Sequence, residues 1–171
     1  MGAMTETAGL DVPLDQLLSL ASGGERLAVP IGSVREILEV GRLTPVPRTP
    51  DFIRGVMNLR GAVVPVVDLA ARLGLRITPL ERRSAIVVVE SHAGAAQRLV
   101  VGLLVDAVYE VLDLASQRME AVPSLGVAMP GVFLHGMVHA RGGYVAVLNL
   151  GQVLDPQTLA RMIGEAAQSP L

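Results

Sequence analysis

Two stretches of the chain repeat one pattern, and this repetition decides the predicted fold. Phe52-Ile-Arg-Gly-Val-Met-Asn-Leu-Arg-Gly-Ala-Val-Val-Pro-Val-Val-Asp-Leu69 recurs 81 residues later as Phe133-Leu-His-Gly-Met-Val-His-Ala-Arg-Gly-Gly-Tyr-Val-Ala-Val-Leu-Asn-Leu150. Seven of the eighteen positions are identical: the Phe, two Gly, the Arg, two Val and the final Leu. Self-similarity of this kind indicates related structural units.

A second match supports this interpretation. Val34-Arg-Glu-Ile-Leu-Glu39 is repeated as Val108-Tyr-Glu-Val-Leu-Asp113, at a spacing of 74 and in the same order relative to the first match. We therefore predict two related β-subdomains, at about 14–75 and 84–154, joined by the polar segment 76–83. Each is expected to hold about six short strands, and two small sheets bury more apolar surface when they pack together.

The segments outside the repeats are short. Residues 1–13 are predicted to be a flexible N-terminus, in which 1–4 could be a remnant of cloning, and 156–171 a C-terminal helix and tail. Asp155-Pro156 supplies an N-cap and a first-turn proline for that helix, which would reach about residue 163. A shorter helical turn is expected at 69–73, ending at Gly74.

The apolar segments are short and rich in valine and isoleucine, which favours strands over helices. A hairpin is predicted from 17–21 and 26–30 around Ser22-Gly23-Gly24, since paired glycines suit a tight turn. Further strands are expected at 62–67, 85–89, 99–105 and 144–148. The predicted class is therefore all-β with a few short helices.

Composition excludes several functions for this chain of 171 residues. The net charge is −2, all 14 basic residues are arginine, and aromatic residues make up 2%, so neither a basic patch nor a stacking surface for nucleic acid is expected. The longest uncharged run, 121–140, contains prolines, glycines and histidines and is not expected to insert into a membrane. Without cysteine or a signal peptide, the chain is predicted to be cytoplasmic.

Enzymatic chemistry has no support in the motifs. His135 and His139 lie four residues apart, but there is no HExxH pattern, and His92 is expected in a loop. There is also no Gly-x-Ser-x-Gly elbow and no phosphate-binding loop. We predict a non-enzyme without catalytic residues, metal or cofactor.

Arg60 is the charged residue for which a role is hardest to dismiss. It stands next to Gly61 at the end of an otherwise apolar run, so its stem could simply cover apolar surface while its head stays in water. It could instead hold a charge in a groove for an acidic partner group. Glu36 has the same two interpretations, and an Arg60–Glu36 contact within the fold is a third.

At these residues the sequence resembles the CheW family, the coupling proteins of bacterial chemosensory arrays. The pieces that carry the resemblance are Ile31-Gly-Ser-Val-Arg-Glu-Ile37, Val46-Pro-Arg-Thr-Pro-Asp-Phe-Ile-Arg-Gly-Val56 and Asn58-Leu-Arg-Gly-Ala-Val-Val-Pro-Val-Val-Asp-Leu69, with Val105-Asp-x-Val108 and Phe133-Leu-x-Gly136. Together they span about 14–155, nearly the whole chain.

The resemblance implies a non-enzymatic adaptor made of two small SH3-like β-barrel subdomains. Such an adaptor binds the cytoplasmic hairpin tip of a methyl-accepting receptor in the groove between the subdomains, and the regulatory domain of a CheA-type histidine kinase. Other CheW-like domains are further candidate partners, and the array would place the protein near the membrane. By motif, the receptor contacts would be Val34, Glu36, Gly55, Arg60 and Gly61; the kinase contacts are not assigned to residues.

The first hairpin departs from the family pattern, which usually places aromatic residues there. Leu17-Leu-Ser-Leu20 and Leu27-Ala-Val29 preserve apolar character but lose ring area. This suggests a divergent member, and leaves open whether the pathway is flagellar chemotaxis or another one, such as twitching or another kinase cascade. Two alternatives stay open: a CheW-like scaffold of a kinase pathway that binds no receptor, and a small-ligand-binding β-barrel.

Overall fold

The computed structural model of the chain describes residues 14–93, 97–114, 118–122, 128–140 and 142–155. The predicted N-terminal segment 1–13, the C-terminal helix and tail at 156–171, and Arg141 lie outside these ranges. The predicted mainly-β class is confirmed. No helix among the described residues is long and apolar enough to cross a membrane.

Within the described ranges each sequence half contributes five strands. The strands are β1 (Gln16–Ser22), β2 (Glu25–Pro30), β3 (Val34–Glu39), β4 (Ile53–Leu59), β5 (Ala62–Asp68), β6 (Ala85–Ala93), β7 (Gln97–Val105), β8 (Ala107–Asp113), β9 (Leu134–Ala140) and β10 (Gly143–Leu148). The helices are single turns, α1 (Leu69–Arg72) and α2 (Leu150–Val153), and two 3₁₀ turns lie at Ile31–Ser33 and Gly131–Phe133.

The sequence-based prediction of strands is largely right, with two corrections. Each half was expected to hold about six strands, but the stretch between β3 and β4 contributes only the isolated bridge from Thr44 to Val56. Pro45, Pro47 and Pro50 lie in this stretch, and proline has no N–H to donate to a sheet. His92 lies in β6 and not in a loop.

The strands form two five-stranded sheets with equivalent orders. Sheet 1 has the order β8-β1-β2-β10-β9, and sheet 2 has the order β3-β6-β7-β5-β4. Each strand of one sheet corresponds, through the sequence repeat, to the strand at the same place in the other. The register of the parallel strand pair is also the same in both sheets. In sheet 1, Val147 of β10 lies opposite Ala28 of β2. In sheet 2, the equivalent residues Val66 of β5 and Gly102 of β7 lie opposite each other.

Neither sheet coincides with one of the sequence halves 14–75 and 84–154. The hairpin β1–β2 of the first half is inserted between β8 and β10, and the hairpin β6–β7 of the second half is inserted between β3 and β5. The halves have thus exchanged hairpins. The repeat in the sequence could not show this exchange, because equivalent hairpins suit either sheet equally well in local pattern.

Both faces of the central strands are buried. Along β6, Ile86 packs into a core enclosed by sheet 2, whereas Val87 packs into a larger core shared by the two sheets. Along β2, Ala28 packs into the core of sheet 1, whereas Leu27 packs into the shared core. Alternate residues of these strands thus pack into different cores, and neither face is exposed. This explains why the sequences of the central strands are almost continuously apolar.

Each sheet curls into a small barrel in the same way. Thr44, beyond β3 on one edge of sheet 2, exchanges two backbone hydrogen bonds of 2.8 Å with Val56 of β4 on the other edge. In sheet 1, Glu120 exchanges bonds of 2.7 and 2.8 Å with Met137 of β9. The two SH3-like subdomains are therefore barrel 1, formed by sheet 1, and barrel 2, formed by sheet 2.

A buried carboxylate fixes the segment that joins the two sequence halves. Asp68 is fully buried at the end of β5 and accepts hydrogen bonds from the Thr78 backbone N–H (2.8 Å) and hydroxyl, and from Arg54 Nη1 (2.9 Å). It also caps α1 by accepting from the Ala71 N–H at 3.2 Å. These bonds tie 76–83 to barrel 2.

Candidate functional site

The turn between β4 and β5 carries the first predicted site residues. Arg60 and Gly61 are its two central residues, with φ of 50° and 87°. A two-residue hairpin turn with both φ values positive is the type I′ turn, which favours Asn-Gly. Glycine meets this requirement at Gly61, whereas Arg60 is strained by roughly 1–2 kcal/mol.

Arg60 forms an ion pair with Glu36 of β3. Its Nη1 donates to Oε2 at 2.7 Å, and its Nη2 donates to Oε1 and Oε2 at 2.8 Å. The Arg60 side chain is nevertheless 68% exposed, and that of Glu36 is 26% exposed. The contact within the fold is thus formed, and most of the Arg60 side chain stays exposed to solvent.

The other two predicted site residues, Val34 and Gly55, lie away from the turn and have structural roles in the core and in barrel closure. Val34 begins β3 opposite Val89 and packs, half-buried, against the shared core. Gly55 is buried in β4 with φ of 137°, and a Cβ placed there would lie 2.5 Å from the Thr44 carbonyl oxygen. The structure therefore brings Glu36, Arg60 and Gly61 together. Glycine is needed at position 55 for a separate reason, because a side chain there would overlap the Thr44 backbone.

Exposed aliphatic side chains adjoin the ion pair in sequence. Ile37, next to Glu36, is 47% exposed, and Val63, two residues after Gly61, is 68% exposed. Asn58 fixes the turn by accepting a 2.9 Å hydrogen bond from the Gly61 N–H. Since successive side chains of a strand point to opposite faces, Ile37 lies on the other face of β3 from Glu36, and the exposed aliphatic side chains flank the pair in sequence only.

A second cluster, which sequence reasoning missed, lies where the repeats meet. The guanidinium carbon of Arg72 is 5.2 Å from the ring centre of Phe52 and 5.0 Å from that of Phe133. Arg72 Nε donates to the Val153 carbonyl at 2.7 Å. Phe52 and Phe133 are repeat equivalents, and so are Arg72 and Val153. The repeated phenylalanine was the available signal, but its position alone does not predict the arginine between the two rings.

Among the described residues, no cluster of histidine and acidic side chains could hold a metal ion. His139 stacks on Tyr144 with ring centres 4.1 Å apart and lies 3.9 Å from Glu120 Oε2. His135 is half-buried four residues before it on β9, and burial lowers the pKa of its imidazole. The two histidines thus have separate surroundings.

Burial of His135 gives a testable pH dependence. Because its pKa is lowered in the folded protein, the unfolded chain binds a proton more readily as the pH falls below about 6.5. The stabilisation by neutral His135 is complete above that pH and is lost as the pH falls through the folded pKa. The urea midpoint of the native chain, measured relative to that of His135→Gln, is expected to fall between pH 8 and pH 5. A constant difference would contradict this prediction.

Comparison with known proteins identifies several related chains. The sequence pattern described as the CheW-like domain matches residues 16–160. The chemotaxis protein CheW of Rhizobium meliloti is 33% identical over 142 residues, covering 83% of this chain and 88% of the relative. The protein FrzA of Myxococcus xanthus is 36% identical over 148 residues, covering 84% and 87%. The crystal structure of the scaffolding protein TtCheW from Thermoanaerobacter tengcongensis superposes with a TM-score of 0.69 at 28% identity, covering 82% and 88%.

Proposed function

The chain belongs to the CheW family of coupling scaffolds in chemotaxis-type pathways, and on this premise we propose that it couples methyl-accepting receptors to a CheA-type histidine kinase. Proteins of this family are adaptors and not enzymes. The proposed role is to hold receptor and kinase in a signalling geometry from the cytoplasmic side of a receptor array.

The observation that carries the proposal is the Glu36–Arg60 ion pair. It lies on the residues that the family resemblance assigns to receptor contact, and its guanidinium is exposed and held in place by three short hydrogen bonds. Because these bonds favour one orientation of the side chain, less rotamer entropy is lost when a partner binds it. An acidic group of the receptor tip could then contact the Arg60 side chain, which is 68% exposed.

A calorimetric titration tests the proposal directly. The full chain would be titrated with the regulatory domain of a CheA-type kinase from its own genome, and separately with a receptor fragment that forms the helical hairpin tip. Saturable binding of both partners is expected. Binding of the kinase domain alone would favour the receptor-free scaffold, and binding of neither folded partner would reject the coupling function.

Substitution of Arg60 should separate binding from folding. Arg60→Ala and Arg60→Glu are expected to weaken receptor binding by about 2–4 kcal/mol, the usual cost of truncating a charged interface contact. Their stability should fall by less than about 1 kcal/mol, because exposed ion pairs contribute little. Calorimetry measures the first quantity and thermal melting by circular dichroism the second.

Two further variants sharpen the comparison. Arg60→Asn suits the type I′ turn and removes the charge, so it should weaken receptor binding without a comparable loss of stability. Arg82→Ala removes an equal charge from the exposed segment that joins the repeats and should leave receptor binding unchanged. Loss of the folded signal in the Arg60 variants would instead assign Arg60 a structural role.

The small-ligand alternative has weaker support. A shallow, open hollow is lined by Asp51, Phe52, Ala71, Gly74, Leu75, Arg76 and Ile77. Arg76 is already engaged there by Asp106 at 3.2 Å. Binding sites for small molecules are usually enclosed and have several convergent polar groups, so the hollow does not favour this function.

A further inference from the structure

We propose that Arg72, clamped between Phe52 and Phe133, is a second contact for the receptor and binds a glutamate or aspartate side chain of the hairpin tip through its terminal nitrogens. The inference rests on the proposed receptor binding. It adds a specific residue, Arg72, to the contacts that the family motifs assign, which are confined to the β4–β5 turn, β3 and Gly55.

The Arg72 side chain is held rigidly. Its guanidinium carbon is nearly equidistant from the two rings, at 5.2 and 5.0 Å, and its Nε is fixed by the 2.7 Å hydrogen bond to the Val153 carbonyl. The contacts come from both repeats, because β4 begins next to Phe52 and α2 ends at Val153. The stem and the Nε edge are thereby immobilised in advance of any binding event.

The remaining edge of the guanidinium has no partner among the residues that the structure describes. Within the part of the chain that the structure describes, neither Nη1 nor Nη2 donates a hydrogen bond, and Arg72 forms no ion pair within 4.0 Å. Partial burial lowers the pKa of Arg72, and the charge of Asp155 opposes this effect. Arginine stays charged at neutral pH, so the terminal nitrogens of Arg72 form a partly buried cationic edge that has no carboxylate within ion-pair distance among the described residues.

A carboxylate is the group that fits this edge. The two terminal nitrogens of a guanidinium form a planar fork that matches both oxygens of a carboxylate. Phe52 and Phe133 are only half-buried, and Val132, next to Phe133, is 59% exposed. An acidic side chain that approaches Arg72 would therefore bring its neighbouring apolar atoms onto aromatic and aliphatic surface.

Titration of the receptor hairpin into full-length variants tests the contact. Arg72→Met should weaken receptor binding roughly tenfold or more, and Arg72→Lys, which keeps the charge but loses the fork, should weaken it less. Asp155→Asn removes a competing negative charge and should strengthen binding about two- to fivefold. Arg82→Ala is the control, and kinase binding should be unaffected in all variants.

These outcomes separate failure of the Arg72 contact from failure of the proposed coupling function. If the native chain binds the receptor and the Arg72 and Asp155 variants bind it equally well, Arg72 is not a contact and the coupling function stands. A loss of kinase binding instead would assign the contact to the kinase and overturn the proposal. If the native chain binds no receptor, the proposed function fails, and the proposal that depends on it fails too.

If Arg72→Met does not fold, the contact can still be tested on the native chain without the receptor. The Hε–Nε nuclear magnetic resonance signal of Arg72, identified by its absence from Arg72→Lys, would be followed during addition of acetate to the native chain, with chloride at equal ionic strength as control. A larger shift for Arg72 than for the exposed Arg82 is expected. Equal shifts would show that the fork does not attract carboxylates and would overturn the proposal.

Discussion

Replacing Asp68 by alanine is expected to lower the free energy of unfolding by about 3–5 kcal/mol, because it leaves buried donors and a cation without their acceptor. Asp68 is fully buried, and its two oxygens accept from the Thr78 N–H and hydroxyl, the Arg54 guanidinium and the Ala71 N–H. A domain of this size is stable by only about 5–15 kcal/mol. Urea titration with a fitted slope measures the loss.

The sequence repeat supplies the matched control. Asn149 occupies the equivalent position, and the two backbone N–H groups make equivalent bonds: Asp68 to the Phe52 carbonyl at 2.7 Å and Asn149 to the Phe133 carbonyl at 2.8 Å. The Asn149 side chain makes no capping hydrogen bond to α2. Asn149→Ala should therefore cost less than about 1 kcal/mol. Equal losses at the two positions would show that the Asp68 network does not carry the stabilisation inferred for it.

Substitution of Gly55 by alanine is expected to cost about 2–5 kcal/mol, from steric overlap and backbone strain together. The new Cβ would lie 2.5 Å from the Thr44 carbonyl oxygen, and φ at this position is 137°. Backbone atoms cannot move aside as a flexible side chain can. The bridge between Thr44 and Val56, which closes barrel 2, would have to open.

Two other glycines serve as controls for Gly55→Ala, one with the same close approach and one without it. At Gly136, the repeat equivalent, a Cβ would lie 2.5 Å from the Glu120 carbonyl oxygen, so Gly136→Ala should also be strongly destabilising. Gly41 has open space around it, and Gly41→Ala should change stability by less than about 1 kcal/mol. Thermal melting of the three variants orders them. A Gly55→Ala chain as stable as Gly41→Ala would refute the close approach.

The Gly55 result also bears on the proposed receptor contacts. Loss of receptor binding in Gly55→Ala is expected to follow loss of the fold, whereas loss of binding in Arg60→Ala is expected in a folded chain. Only the second kind of loss supports a direct contact. Gly55 stays a predicted contact residue until a folded variant at that position is tested.

Much of the fold could be predicted because local signals in the sequence were strong. The turn at Gly23-Gly24, with φ of 62° and 82°, joins β1 and β2 as the paired glycines indicated. Dense valine and isoleucine located β5, β6, β7 and β10 because these side chains pack well on a pleated surface. The strand ends were less accurate, since β6 extends to Ala93 beyond the last valine of its run.

The candidate site could be predicted only in part. The glycines around Arg60 and the resemblance of 58–69 to family motifs singled out the right turn, but three interpretations of Arg60 and Glu36 stayed open. The ion pair depends on whether the end of one hairpin reaches an edge strand 24 residues away in sequence. Such contacts are set by strand order and barrel curvature, which no local pattern contains.

The sequence by itself determined the mainly-β class, the repeat of two units and the family, because these properties depend on residue type and spacing along the chain. The tertiary structure alone decided the exchange of hairpins between the halves, the burial of Asp68, the pairing of Arg60 with Glu36 and the position of Arg72 between two rings. The physical reason is that each of these contacts joins distant segments. These contacts form only in the folded protein, where one face of each central strand packs inside a barrel and the other packs in the core shared by the two barrels.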